Sequence, residues 1–209
     1  MKQTRNGLLL VVSGPAGVGK GTVDSALLSR NSGMRMSVSA TTRAPRPGEI
    51  DGVHYFFKTE EEFARMIEEN AFLEYMHVFH TNYYGTPRSY VEEELSSGHD
   101  VILAIDVQGG MKVKEAYPNA VLIFIAPPDM STLQSRLIGR GTETPEAIQK
   151  RFRTAYAELA SAQEYDYIVV NDVLDIAVSR IENIIAAETG RAGRNTEFLA
   201  KLRGGNIVL

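Results

Sequence analysis

Cysteine is absent from the 209 residues, which excludes disulfides and thiolate metal sites. No run approaches the roughly 20 consecutive apolar residues that a membrane-spanning helix needs, so no membrane partner is expected. Residues 1–7 are short and polar and lead straight into an apolar segment, which is not the pattern of a cleaved export signal. An excess of positive charge is lacking too. With 26 acidic against 22 basic side chains the net charge is −4, which argues against a general binder of nucleic acid or of membrane surfaces. Internal repeats and low-complexity segments are also absent. These absences set the expectation of a cytoplasmic protein whose ligands are small.

What is present is an ordinary globular balance, 44% hydrophobic and 23% charged, at a length that suits one sizeable core. Arginine is bunched, in one cluster at Arg43 and Arg46 and another at Arg136, Arg140, Arg151 and Arg153. Such clusters in an acidic chain suit small anions; a solvated helix face is the alternative for any one of them.

Four runs, 8–13, 101–106, 121–126 and 167–171, are nearly continuous in aliphatic residues, as expected for strands covered on both faces. A fifth strand is expected over 36–39. Helical patterns follow at 21–30, 109–116, 131–140 and 174–189. Strand alternating with helix implies an α/β fold with a parallel sheet, whose ligands bind at the carboxyl ends of the strands. Two stretches interrupt the alternation. Residues 37–98 mix polar turns, aromatic-rich runs and two helices. Thr59 with Glu62 reads as a capping box opening the first, and Thr86-Pro87 as N-cap and first residue of the second. Residues 131–164 hold two helices joined at Gly139, Arg140 and Gly141, with Thr144-Pro145 opening the second, as a mobile lid requires. Residues 191–209 suggest one short helix and a tail.

Gly14, Pro15, Ala16, Gly17, Val18, Gly19, Lys20, Gly21 and Thr22 follow an apolar strand and open a helix. That is the context of a phosphate-binding loop: glycines let backbone N–H groups approach an anion, and the helix N-terminus and Lys20 add positive charge. The usual Ser or Thr after the lysine is replaced by Gly21, so direct Mg²⁺ ligation from that position is impossible. Phosphate oxygens and waters suit the ion instead. Asp106, at the end of the second strand, reads equally as an orienter of Mg²⁺-bound water and as a helix N-cap.

The segment from Ser37 to Phe57 closely resembles the GMP-binding segment of guanylate kinases. The phosphate loop, Phe72-Leu73-Glu74, Asn82-Tyr83-Tyr84-Gly85-Thr86, Asp106-Val107-Gln108-Gly109, Ala126-Pro127-Pro128, Arg140-Gly141-Thr142-Glu143 and Val170-Asn171-Asp172 match the same family in order. The resemblance covers about residues 7–187 and implies a P-loop kinase core (1–36, 99–130 and 165–209), an inserted GMP-binding subdomain (37–98) and a helical lid (131–164). It implies ATP and GMP as substrates and Mg²⁺ as cofactor. Arg43, Arg46, Tyr55 and Tyr84 are then expected on the GMP phosphate, and Glu49 is expected among the GMP-binding residues. Ser39, Glu74 and Thr86 are expected on the guanine, Lys20, Arg136 and Arg151 at the transferring phosphoryl, and Arg140 and Asn171 beside the adenine of ATP. Relatives often carry an acid two places before Asp106, where this chain has Ala104. The four histidines are expected to be structural or surface residues. The alternatives are a non-catalytic interaction module of the same shape, a small kinase with another phosphorylated acceptor, and a slowly hydrolysing switch. The intact Lys20, the lid arginines and the Glu74–Thr86 pair argue against them.

Overall fold

The computed structural model describes residues 6–78, 81–138 and 145–204. In chain order the elements are β1 (Leu9–Ser13), α1 (Lys20–Arg30), β2 (Met34–Met36), β3 (Ala40–Thr41), β4 (Phe56–Phe57), α2 (Glu60–Glu68), β5 (Phe72–Val78), β6 (Asn82–Pro87), α3 (Arg88–Ser96), β7 (Asp100–Ala104), α4 (Val107–Ala116), β8 (Val121–Ala126), α5 (Met130–Ile138), α6 (Pro145–Ala160), β9 (Tyr167–Val170), α7 (Leu174–Thr189) and α8 (Thr196–Gly204). Five strands form a parallel sheet in the order β2-β7-β1-β8-β9. The period-two alternation divides its side chains between two cores. Leu8, Leu10, Val12, Ile102, Ile123 and Ile125 enter one, and Leu9, Val11, Leu103, Leu122 and Phe124 the other. Burying each aliphatic side chain contributes roughly 1.5–3 kcal/mol, so both faces need a helical cover. Helices α1 and α7 pack against one another on the first face, while α3 and α4 cover the second.

Strands between Ala40 and Pro87 build a second, four-stranded mixed sheet, ordered β4-β3-β6-β5. Its small core stacks Phe63 of α2 on Phe72 and Tyr83, with ring centroids 4.4 and 5.3 Å apart. Thr59 and Glu62 form the expected capping box, with backbone-to-side-chain bonds of 2.8 and 3.1 Å.

Two local expectations are corrected. The fifth strand lies earlier, at Met34–Met36, because its register starts opposite Asp100. After the Ser37 N–H bonds Ile102 O at 2.8 Å the chain leaves for the second sheet. Thr86 and Pro87 do not open α3; they end β6, paired with Glu74 and Phe72, and the helix starts at Arg88. The Thr86 hydroxyl is drawn to the buried Glu74 carboxylate, not to a helix N-terminus. The junction at Gly139-Arg140-Gly141 and Thr144 lies outside the described residues.

Candidate active site

The carboxyl ends of β1, β7 and β8 converge on the loop from Gly14 to Gly19. Gly14 leaves β1 at φ +149°, where a Cβ would sit 2.2 Å from the Ile125 carbonyl oxygen. Gly19 caps α1 at φ +95°, and a Cβ there would meet Asn171 Nδ2 at 2.7 Å. The first N–H groups of α1 therefore open toward the loop with the positive end of the helix dipole behind them. Lys20 begins the helix and folds back over the loop, donating to the carbonyls of Gly14 and, at 3.4 Å, Pro15. From the opposite side, Asn171 Nδ2 donates to Val18 O at 2.8 Å. Arg136 donates to the carbonyls of Asn171 and Val18 at 3.0 and 3.4 Å. Asn171, expected near the adenine, thus supports the phosphate loop itself. Gly19→Ala combines a left-handed φ with this close approach. It is expected to destabilise by more than the ~1 kcal/mol that a compatible Gly→Ala change shifts stability, and to reduce turnover. Denaturant unfolding read beside the steady-state rate checks both effects.

Asp106 proves to be the N-cap of α4: Oδ1 accepts from the Gly109 N–H at 2.7 Å. Its second oxygen has no partner among the described residues. Glu158 of α6 joins this region without having been singled out in the sequence. Burial pushes its carboxyl up, Lys20 pulls it down and Asp106 adds repulsion. Arg151 lies on α6 with an exposed side chain. Arg140 falls outside the described residues.

The second sheet builds the other half. Antiparallel pairing sets Glu74 opposite Thr86, and the Thr86 hydroxyl donates to Glu74 Oε1 at 2.7 Å. Glu74 is 8% exposed. Burial raises its pKa, the Thr86 hydrogen bond opposes that, and the Asp106 charge adds to it. Thr86 lines a cavity of about 210 Å³ together with Ser37, Ser39, His54, Tyr55 and Ala104. Ser37 was missed in the sequence. Its hydroxyl oxygen is buried there with no partner, and only the folded cavity reveals it. His54 also lines the cavity, although its ring nitrogen Nδ1 accepts from Ile50 N–H and so has a structural task.

Beside the cavity, the Arg43 guanidinium lies 5.4 Å from the Tyr55 ring centroid. The Tyr55 and Tyr84 rings meet edge-on at 6.0 Å. Glu49 accepts from Arg43 at 2.9 Å and from the Arg46 backbone N–H at 2.7 Å. The Arg43 hydrogen bond, then the Arg46 N–H, hold the Glu49 carboxyl below its ordinary range. Glu49 therefore orients this cluster from behind; a carboxylate is not itself a phosphate contact. Tyr83, one residue from Tyr84 and so on the opposite face of β6, packs on Phe63 as a core residue.

The first sheet thus carries a loop shaped for phosphate, and the second carries an arginine–tyrosine cluster and a buried carboxylate. The guanylate kinase family model matches residues 6–188. The guanylate kinase of Caldanaerobacter subterraneus subsp. tengcongensis is 52% identical over 203 residues, spanning 97% of this chain and 98% of that one. The guanylate kinase of Halalkalibacterium halodurans is 53% identical over 186 residues, spanning 89% and 91%. Among solved structures, guanylate kinase from Anaplasma phagocytophilum superposes with a TM-score of 0.71 at 35% identity, covering 91% of this chain and 90% of that one. With the match running through both the phosphate loop and the second sheet, this chain belongs to the guanylate kinase family.

Proposed function

We propose that this chain transfers the γ-phosphoryl group of ATP to GMP, releasing ADP and GDP, with dGMP as a second acceptor. The observation that carries the reading is Glu74. It is a nearly buried carboxylate with one oxygen satisfied by Thr86, set beside a cavity and an arginine–tyrosine cluster. The other oxygen is left for a ligand that presents N–H donors, as the guanine edge does.

The acceptor needs no general base. The second pKa of a phosphate monoester is about 6, so GMP is mostly dianionic at neutral pH. The task is to align two mutually repelling anions and to neutralise charge on the moving phosphoryl group. Arg43, Arg46, Tyr55 and Tyr84 hold the GMP phosphate, with Glu49 fixing the Arg43 guanidinium and the Arg46 backbone. Gly14 to Thr22 hold the ATP phosphates, and Lys20, Arg136 and Arg151 meet the transferring group. Arg140 closes near the adenine. The Thr86 hydroxyl already donates its hydrogen bond to Glu74, so toward guanine it is an acceptor, and the donor to O6 is Ser39.

Mg²⁺ fits this donor set as an ion held by phosphate oxygens and water. The residue after Lys20 is glycine, and Asp106 offers a single unoccupied oxygen. When bound, the ion neutralises charge on the phosphate oxygens. The three-part division into core (1–36, 99–130, 165–209), acceptor insert (37–98) and lid (131–164) belongs to the same proposal. No helix among the described residues is long and apolar enough to cross a membrane. The proposed compartment is the cytoplasm, where both nucleotides are available.

A coupled assay of ADP release with GMP, dGMP and AMP in turn tests the assignment. Strong turnover with GMP is expected; equal turnover with AMP would overturn it. Arg136→Ala and Arg151→Ala are expected to lower kcat by ~10³-fold, because charges that meet the transition state more closely than the ground state act on turnover. A rise in the KM for ATP alone would show uniform binding contacts instead.

A further inference from the structure

Asp24 lies on the core-facing stripe of α1, between Val23 and Leu27 and one helical turn beyond Lys20. It is 1% exposed, and neither of its carboxylate oxygens has a hydrogen-bond partner among the described residues. A buried carboxylate without such partners keeps its charge only where an opposite charge reaches it.

The neighbouring elements offer little. On β2, Arg35 turns to Glu94 and His99. On β7, Asp100 accepts from the Leu8 N–H. On α7, Asp175 and Glu182 face Arg30 at the far end of α1, and Arg180 is exposed. Among the described residues, Lys20 is the charge that acts on Asp24, and Lys20 also acts on the half-buried Glu158 of α6. Burial pushes the carboxyl up to about 7, against the pull of Lys20. The group is therefore poised near neutrality, and its charge depends on what else Lys20 faces.

We infer that Asp24 is the proton acceptor coupled to ATP binding: ionised, it balances Lys20 in the nucleotide-free site, and it takes up a proton when phosphates engage Lys20. The polyphosphate neutralises the field of Lys20, so the buried carboxylate loses its compensation and a solvent proton replaces it. Asp24 touches no substrate. It is a positioning residue: its negative charge favours the empty-site placement of Lys20, and protonation releases the ammonium to the nucleotide. The inference rests on the reading that Lys20 meets the phosphates of ATP.

The test is calorimetric titration with ATP near pH ~7 in two buffers of different ionisation enthalpy, which yields the protons exchanged per nucleotide. From a half-ionised start, the wild type is expected to take up as much as roughly half a proton more per ATP than Asp24→Asn does. Proton release by ATP itself is common to both proteins and cancels in the difference. Titration with GMP, which does not meet Lys20, is expected to show no such uptake in the wild type. That control stands even if the variant does not fold. Asp24→Asn, fixed in the neutral form, is further expected to bind ATP more tightly than the wild type at about pH 8.5 and equally at about pH 6.

Stability supplies a readout without nucleotide. The folded carboxyl, near 7, lies above its ordinary 3.8, so the folded state holds an extra proton between these values. Its contribution is greatest at or below the lower value and falls as pH rises toward the upper one. The asparagine variant lacks that slope. Equal proton counts for wild type and variant, with ATP binding intact, would overturn the inference alone. Failure of ATP to bind the wild type would overturn the reading of the phosphate loop and this inference with it.

Discussion

Lys20→Ala is expected to lower kcat by ~10³-fold or more while leaving GMP affinity, measured without ATP, close to that of the wild type. The ammonium starts α1 and reaches the carbonyls of Gly14 and Pro15, on the donor side of the groove. The proposed GMP contacts all come from the second sheet and the segment leading to it. Loss of a full positive charge from a water-poor site removes stabilisation of the negative charge that spreads over the moving phosphoryl group. Turnover and equilibrium binding of GMP, measured on the same preparation, check the split. Near-normal turnover would remove the phosphate loop from the mechanism, and a parallel loss of GMP affinity would show that the lysine reaches both nucleotides.

Glu74→Ala is expected to lower kcat/KM for GMP by ~10³- to 10⁴-fold, with a much smaller loss for AMP. Guanine presents N1–H and N2–H₂ side by side, and an ionised carboxylate accepts from both. Adenine places an acceptor where guanine has N1–H. AMP would therefore leave a buried charge without its partner, which is the costly case. A pH dependence follows. Burial raises the Glu74 pKa above the ordinary 4.5, so the reader loses its charge sooner on acidification than a surface glutamate does. The charged form reads guanine, so the GMP-to-AMP ratio of kcat/KM is expected to be full above the raised pKa and to fall as pH drops through it. Taking the ratio cancels the protonation of the acceptor phosphate, which both nucleotides share. Glu74→Gln is expected to show a low ratio with no acidic limb. An equal fall for both nucleotides in the alanine variant would assign guanine recognition elsewhere.

The phosphate loop was legible because its signal is local: glycine spacing, lysine and helix start all lie within nine residues. The parallel core was legible for a related reason, since strands buried on both faces must be aliphatic throughout. The Glu74–Thr86 pair was legible only through resemblance to a family, because the two meet by strand pairing and neither carries a local mark. Thr86-Pro87 carries the local mark of a helix start, and a buried carboxylate across the hairpin outweighed it. Glu49 could be counted among the ligand residues from its position, but only the folded cluster shows it acting on arginines. Asp24, Ser37 and Glu158 were invisible for a common reason. A polar residue in a helix or at a strand end reads as a surface group, and burial without a partner is a property of packing.

The register of β5 against β6 carries a consequence for how substrate choice can change. Glu74 and Thr86 meet because the two strands are in one particular frame, and pleated strands send alternate residues to opposite faces. A slip of one position on β5 would present Leu73 or Tyr75 to Thr86 and turn the carboxylate to the other face. The frame of a hairpin is set by its connecting turn, here between Val78 and Asn82. On the proposed reading of Glu74, the number of residues between Val78 and Asn82 is therefore part of the base-reading code: inserting or deleting one there could erase guanine recognition while every residue of the pocket stayed the same. A comparison of side chains alone would miss such a change, whereas a count of the residues between the paired strands would find it.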